Sequence, residues 1–327
     1  MNTLKQLAAA TGVHITTVAA VINGAGGNTR VGEATRKRVL QAAKRLGYVR
    51  NESARRLRTG TSNTVGFIGG DLRNPFFSEL ASALERELEL CQFQLVISHI
   101  SAVRSANFPQ TVEILRQQTI RKIIYWEEAA SRSVFPAQPE IQLVPIGFTS
   151  RPRPGVWLDL GHAVHLAVNY LIEQGHRRIG FYGPRGVSES PSVLIRKEMF
   201  TRECRQRRLP HPACIAYDGE SWDIEAAAKG ALEFIRKKST PRAFVGFNDV
   251  AALGLLLASE DSLRKPLVVC FDGTPLTRSW PGPPPFLNLK IPELVRQAVA
   301  LAVGEREDAR AGRREEWIRP ELVVRIP

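Results

Sequence analysis

Residues 3–23 read TLKQLAAATGVHITTVAAVIN, and this stretch decides what the N-terminal part of the chain is. Thr3 and Gln6 stand at capping-box spacing, so a helix is expected to start there. Leu4, Leu7 and Ala8 then share one face. Thr11-Gly12-Val13 is a tight turn, with Gly12 where the backbone bends and a side chain would clash. A second helix is expected from Ile15, burying Val18, Val21 and Ile22. Two helices across a short Gly-containing turn make a helix-turn-helix, whose second helix can enter the major groove of DNA. An ordinary helical hairpin has the same pattern, so the next stretches carry the decision.

Those stretches are basic. After a Gly-rich loop at residues 24–29, Gly32 to Leu46 is expected to be a third helix, with Val39, Leu40, Ala43 and Leu46 apolar at helical spacing and Arg36, Lys37, Arg38, Lys44 and Arg45 largely outward. Gly47 is placed to cap its C-terminus. In residues 50–61, RNESARRLRTGT, a two-turn helix fits between Asn51 and Gly60; its one large apolar side chain after the cap, Leu57, stands among Arg55, Arg56 and Arg58. Free in water, so short a helix is unstable. It suits the minor groove, where a leucine wedges a base step and arginines hold phosphates. A solvated linker is the other reading of the same residues.

The charge is unevenly placed. The chain has 327 residues and a formal net charge of +13, and residues 1–63 hold eleven Lys and Arg against only Glu33 and Glu52. An excess concentrated in one small segment is the footprint of a polyanion partner. A membrane surface would also attract it, but the segment lacks an aromatic or long aliphatic face to insert. With 43% hydrophobic and 24% charged residues the whole is an ordinary soluble globular composition, and its length suggests two or three domains. No signal-peptide pattern and no run of membrane-spanning length is visible, so a cytoplasmic protein without a membrane partner is expected. Cys91, Cys204, Cys214 and Cys270 form no CxxC or His-paired set; reduced structural thiols, no metal and no cofactor are expected.

Seven stretches together resemble the LacI/GalR family of bacterial transcription regulators: GVHITTVAAVIN (12–23), TRKRVLQAAKRLGY (35–48), SARRLRTGTSNTVGFI (53–68), DLRNPFF (71–77), HRRIGFYG (176–183), FNDVAALG (247–254) and RPELVV (319–324). They occur in family order over essentially the whole chain. The resemblance implies a homodimer on a palindromic double-stranded operator, with heads in the major groove and paired hinge helices in the minor groove. It departs from the family in the second helix, which usually reads like TVSRVLN. Ala19 stands where a serine usually reaches a phosphate, Ala20 where an arginine or histidine often reads a base, and His14 at a common Ser cap position. The Gly-rich loop after Asn23 also looks longer. An unusual operator or weaker direct readout follows, since a lost bidentate contact gives up about 1–3 kcal/mol of discrimination. Ile15, Thr16 and Ala20 remain for base edges, thymine methyls included; Thr17, Asn23 and Arg30 for phosphates; and Ala54, Arg55, Leu57 and Arg58 for the hinge, with Leu57 the wedge. Ala19 and Ala20 merely tolerating the helix is the competing reading.

From Thr64 the texture becomes alternating strand and helix. Strands are expected at Val65–Ile68, Gln94–Ser98, Lys122–Tyr125, Leu143–Ile146, Val156–Leu158, Ile179–Tyr182, Ala243–Gly246 and Leu267–Phe271. Helices are expected near Phe77–Glu89, Phe108–Gln118, His162–Gln174, Ser192–Arg207, Ile224–Lys237, Val250–Ala258 and Pro292–Gly304. Trp280 to Pro285 is too proline-rich for either, residues 305–316 are an exposed charged excursion, and Trp317 to Val324 returns as an edge strand. Two runs of βα units argue an α/β body of two doubly wound parallel-sheet lobes. The expected division is a helix-turn-helix domain at 1–49, hinge helix and linker at 50–63, and an effector-binding, dimerising body at 64–327. Its lobes are taken as 64–161 plus 288–319, and 162–287 plus 320–327, in the manner of periplasmic binding proteins.

Ligands bind such sheets beyond the carboxyl ends of their strands. That rule selects Phe76, Phe77, Trp126, Glu127, Asp159, Arg196, Trp222, Asn248, Asp249 and Asp272, a mix of aromatic platforms and polar forks suited to a sugar-like ligand. By resemblance, effector contacts fall on Phe76, Phe77, Asp159, Arg196, Trp222, Asn248 and Asp272, and Met199 stands where the family commonly has Gly. Each is equally readable as a helix cap, a packed ring or an ion pair. No GxSxG, HExxH, P-loop or GxGxxG after a strand is present, so catalysis is not expected. The function expected is a DNA-binding regulator, most often a repressor in this family, controlled by a small effector between the lobes. A sugar-binding protein or a cleft enzyme without a DNA role are the rivals.

Overall fold

A computed structural model describes residues 3–23, 31–48, 62–100, 106–130, 139–149, 153–185, 191–210, 212–260, 265–304 and 315–324. The chain divides into two compact units, Met1–Thr61 and Ser62–Pro327.

In the first unit, α1 (Leu4–Thr11), α2 (Ile15–Asn23) and α3 (Glu33–Arg45) enclose one small core. The capping box forms: the Thr3 N–H donates to Gln6 Oε1 at 2.7 Å and the Gln6 N–H to Thr3 Oγ1 at 3.3 Å. Gly12 ends α1 at φ 62°, the left-handed conformation that turns the chain into α2. Leu7, Val18, Val21, Val39, Ala42 and Ala43 are buried, with Leu4, Ala8, Val13, Ile22, Leu46 and Tyr48 packed around them. On α3 one expectation is corrected. Leu40 is 48% exposed and Ala42 takes its place, because a 3.6-residue period runs 39, 42, 43, 46. Arg36, Lys37, Arg38, Lys44 and Arg45 are all exposed.

The second unit holds two parallel sheets. The first has β1 (Thr64–Gly69), β2 (Gln94–His99), β3 (Lys122–Trp126), β4 (Gln142–Gly147), β5 (Gly155–Leu158) and β11 (Glu315–Ile318), in the order β11-β5-β4-β3-β1-β2. Its helices are α4 (Pro75–Leu90), α5 (Phe108–Gln117) and α11 (Ile291–Val303). The second has β6 (Ile179–Pro184), β7 (Ala213–Tyr217), β8 (Ala243–Gly246) and β9 (Leu267–Val269), in the order β7-β6-β8-β9. It carries α6 (Leu160–Glu173), α7 (Pro191–Gln206), α8 (Ile224–Leu232), α9 (Asp249–Leu257) and the short α10 (Pro275–Arg278). β10 (Phe286–Asn288) and β12 (Glu321–Val323) pair antiparallel. β1 is buried along its whole length, as a strand covered on both faces must be.

Three differences from the sequence reading have local causes. The expected strand at residues 317–324 is two, β11 and β12 on different sheets, divided at Arg319-Pro320 where the chain passes between lobes. α8 stops at Leu232, after which Phe234 and Lys237 bond to carbonyls three residues back. β7 went unread because its burial alternates weakly on a sheet edge. The chain crosses between lobes after β5, after β10 and after β11, and the crossings are tied: Lys290 Nζ lies 2.6 Å from Glu321, and the Asp159 N–H donates to the Ile318 carbonyl at 2.9 Å.

Leu7 carries the head's small core. Leu7→Ala should cost about 2–5 kcal/mol, read in the full chain as faster hydrogen exchange at the amides of α1–α3.

Candidate functional site

Beyond β1 and β8 the chain enters the site through helices fixed by asparagine N-caps. Asn74 Oδ1 accepts from the Phe76 N–H at 3.1 Å and Pro75 sets the first turn of α4, which aims Phe76 and Phe77 inward. Asn248 Oδ1 caps α9 through the Ala251 N–H at 2.9 Å, while its Nδ2 donates to the Ser221 carbonyl at 2.7 Å. These ends meet in a cleft of about 460 Å³ between the lobes, lined by Phe76, Phe77, Arg196, Trp222, Asn248 and Asp272.

One wall is aromatic. Phe76, Phe77 and Trp126 stand edge to face, with ring centroids 5.1–5.5 Å apart, and Phe148 adds a fourth ring 5.7 Å from Trp126. The floor is Arg196, 4% exposed, its guanidinium 4.8, 4.7 and 4.4 Å from the rings of Phe148, Phe247 and Phe271. It donates to the Phe247 carbonyl and, at 3.5 Å, to Asp272 Oδ1. Its Nε is buried without a partner. Burial pushes the Asp272 carboxyl up to about 7 against the opposing pull of Arg196, with Asp249 and Glu79 adding to the rise. Asp249 serves as a brace: its carboxylate accepts the backbone N–H groups of Asp272, Gly273 and Thr274 and the Thr274 hydroxyl, at 2.6–3.2 Å.

The mouth is closed by charge. Arg73 Nε lies 3.0 Å from both Asp71 oxygens, and its guanidinium stacks 3.8 Å over Trp222 of the other lobe. The hydrogen bond from Arg73 holds the Asp71 carboxyl below its ordinary value. Two more links cross between lobes: Ser192 donates to Glu128 through its N–H and hydroxyl at 3.4 and 3.2 Å, and Arg278 to Glu79 at 2.6 Å.

Asp159 is a correction. It does not line the cleft; its carboxylate caps α6 through the His162 N–H at 2.9 Å and faces Arg319 at 3.9 Å. Glu127 is turned to Arg153, whereas Trp126 does line the cleft. Met199 packs partly buried against the core. Sequence reasoning missed Arg73, His99, Glu128, Ser192 and Glu220, all in the lining. The strand-end rule could have found Arg73, in the loop after β1, and His99, the last residue of β2. In the head, Ile15, Thr17 and Ala20 are half-buried and Thr16 is exposed on α2. The Asn23 side chain, the 24–29 loop, Arg30 and the hinge residues Ala54, Arg55, Leu57 and Arg58 lie outside the described residues. Among described residues no group of His, Cys, Asp and Glu could hold a metal ion, and no helix is long and apolar enough to cross a membrane.

A helix-turn-helix with an exposed cationic third helix, and a body of two parallel-sheet lobes lining a polar-floored cleft, define a ligand-responsive DNA-binding transcription regulator. Comparison with known proteins agrees. Residues 3–51 match "Bacterial regulatory proteins, lacI family" and residues 168–326 match "Periplasmic binding protein-like domain". In these matches the chain is similar to the LacI family of bacterial regulatory proteins. The HTH-type transcriptional repressor PurR of Photobacterium profundum is 25% identical, over 99% of this chain and 98% of that protein. The Lac repressor dimer bound to operator and the anti-inducer ONPF matches with a TM-score of 0.81 at 19% identity, covering 99% of this chain and 98% of that one. The transcriptional regulator CelR–cellobiose complex matches with a TM-score of 0.62 at 20% identity, over 99% of both chains. The relatives are transcription regulators rather than enzymes.

Asp249→Ala strands three N–H groups and a hydroxyl; at about 1 kcal/mol or more per orphaned donor, a loss of about 3 kcal/mol or more is expected in urea unfolding. The raised Asp272 carboxyl sets a pH dependence. Between about pH 4, where an unfolded Asp titrates, and about pH 7, the native state keeps a proton that the unfolded chain has lost, so stability falls as pH rises through that window. Asp272→Asn should flatten the slope; an unchanged slope between about pH 5 and about pH 7 in urea unfolding would refute the assignment.

Proposed function

We propose that the chain is a cytoplasmic, non-enzymatic repressor that binds a palindromic operator as a homodimer and changes its affinity when a neutral, polyhydroxylated effector enters the cleft. The single observation that carries the effector reading is the Arg196–Asp272 floor beneath an aromatic wall. The effector contacts are Phe76, Phe77, Arg196, Trp222, Asn248 and Asp272. Among the described lining residues Arg73 is engaged by Asp71 and Arg196 by Phe247 and Asp272, while Glu128 and Glu220 add negative charge. That balance favours hydroxyl-rich rings over phosphorylated ones, and a relative of this fold is known as a cellobiose complex.

The DNA contacts proposed are Ile15, Thr16, Thr17, Ala20, Asn23 and Arg30 in a head at 1–49, and Ala54, Arg55, Leu57 and Arg58 in a hinge at 50–63. The body at 64–327 senses and dimerises, with lobes near 64–161 plus 288–319 and 162–287 plus 320–327. The effector acts only through its preference for one arrangement of those lobes.

Binding to DNA upstream of the protein's own gene should weaken about a thousandfold or more between 50 and 200 mM salt; a flat salt response would remove the DNA reading. In a thermal-shift panel of neutral sugars, amino sugars and sugar phosphates, a neutral sugar should raise the melting temperature. Arg196→Ala should weaken that ligand about tenfold or more. A response confined to sugar phosphates would overturn the effector class.

A further inference from the structure

The reading helix carries no side chain that can fork onto a base pair before its last residue. α2 is ITTVAAVIN, without Asp, Glu, Lys, Arg or Gln. Val18 and Val21 are buried in the head core, leaving Ile15, Thr16, Thr17, Ala19 and Ala20 at least partly accessible. The Thr16 hydroxyl is already engaged: it lies 2.8 Å from Nδ1 of His14, which also accepts the Thr16 N–H at 3.4 Å. With its proton spent on Nδ1, the Thr16 hydroxyl keeps only acceptor lone pairs, and the methyl is the apolar face Thr16 offers a partner. Ile15 and Ala20 likewise end in methyls.

The major groove offers one apolar feature on a base edge, the C5-methyl of thymine; every other distinguishing group there is a hydrogen-bond donor or acceptor. Resting on the DNA-binding reading above, we propose that this head reads its half-site by packing the methyls of Ile15, Thr16 and Ala20 on thymine methyls. Long cationic side chains of α3, such as Arg36 and Lys37, grip the backbone without regard to sequence. Specificity then comes from several small apolar contacts rather than from one or two bidentate ones. It should be indifferent to salt, while overall affinity is not.

The test uses the full-length protein and a randomised duplex library. Selected duplexes are resynthesised with uracil replacing thymine one position at a time, which removes only the methyl. At one or more thymines in each half-site, affinity should fall about fourfold per methyl, the transfer value of one buried carbon. Thr16→Ser, which keeps the hydroxyl and drops the methyl, and Ile15→Ala should each erase the penalty at their own thymine. If every uracil exchange is neutral on a strongly selected duplex, methyl readout is wrong and DNA binding stands. If the penalties persist undiminished in both variants, the methyls act through DNA shape and the proposal is equally overturned. If no duplex is enriched, the DNA-binding reading itself falls and takes the proposal with it.

Discussion

Taking a guanidinium out of water is strongly unfavourable unless its charge and its N–H groups are met, and the cleft floor is built to meet Arg196. Three aromatic rings lie 4.4–4.8 Å from its carbon, a carbonyl takes one nitrogen and Asp272 stands by another. Asp272 is in turn held there by Asp249, which grips the backbone on either side of Gly273. The order of dependence is therefore fixed: brace, loop, carboxylate, guanidinium. A gap remains at Arg196 Nε, buried and unpaired, with a carboxyl raised toward neutrality beside it. An incompletely satisfied polar floor under an apolar wall is a surface that gains from a ligand carrying both hydroxyls and a ring face.

Strand order explains which candidate residues were legible. In the first sheet the order β2-β1-β3-β4-β5 reverses direction between β1 and β3, and in the second β7-β6-β8-β9 reverses between β6 and β8. Crevices open where the order reverses. Phe76, Phe77 and Trp126 follow β1 and end β3, and Asn248 follows β8, so all four reach the cleft lining. Asp159 follows β5, far along the sheet from its reversal, and the strand-end rule applied without strand order misplaced it. Strand order cannot be read from periodicity, because each strand looks alike whatever its neighbours are.

Rotamer-level details were harder still. Glu127 and Glu128 are adjacent in a single-turn 3-10 helix, and only their divergent directions send one to Arg153 and the other to Ser192. Arg73 stood in plain view in DLRNPFF, but its partners, Asp71 two residues away and Trp222 on the other lobe, are set by tertiary placement. The head was more legible. Its capping box, turn glycine and buried stripes are local signals, and the one slip, Leu40 for Ala42, came from letting size outweigh helical phase.

The links across the cleft are of a kind that lets a small molecule matter. Arg73 on Trp222, Ser192 on Glu128 and Arg278 on Glu79 are each partly solvated. Such contacts contribute about 0–1 kcal/mol apiece, so together they hold one lobe arrangement by an amount comparable to the preference a modest ligand can supply. Deeply buried clasps would have locked the lobes. The buried charge is instead concentrated around Arg196 in one lobe, where it shapes the floor and meets the other lobe through the ring of Phe148. Burial divides the body accordingly: the floor of the cleft is tightly packed, and the links across its mouth are partly solvated.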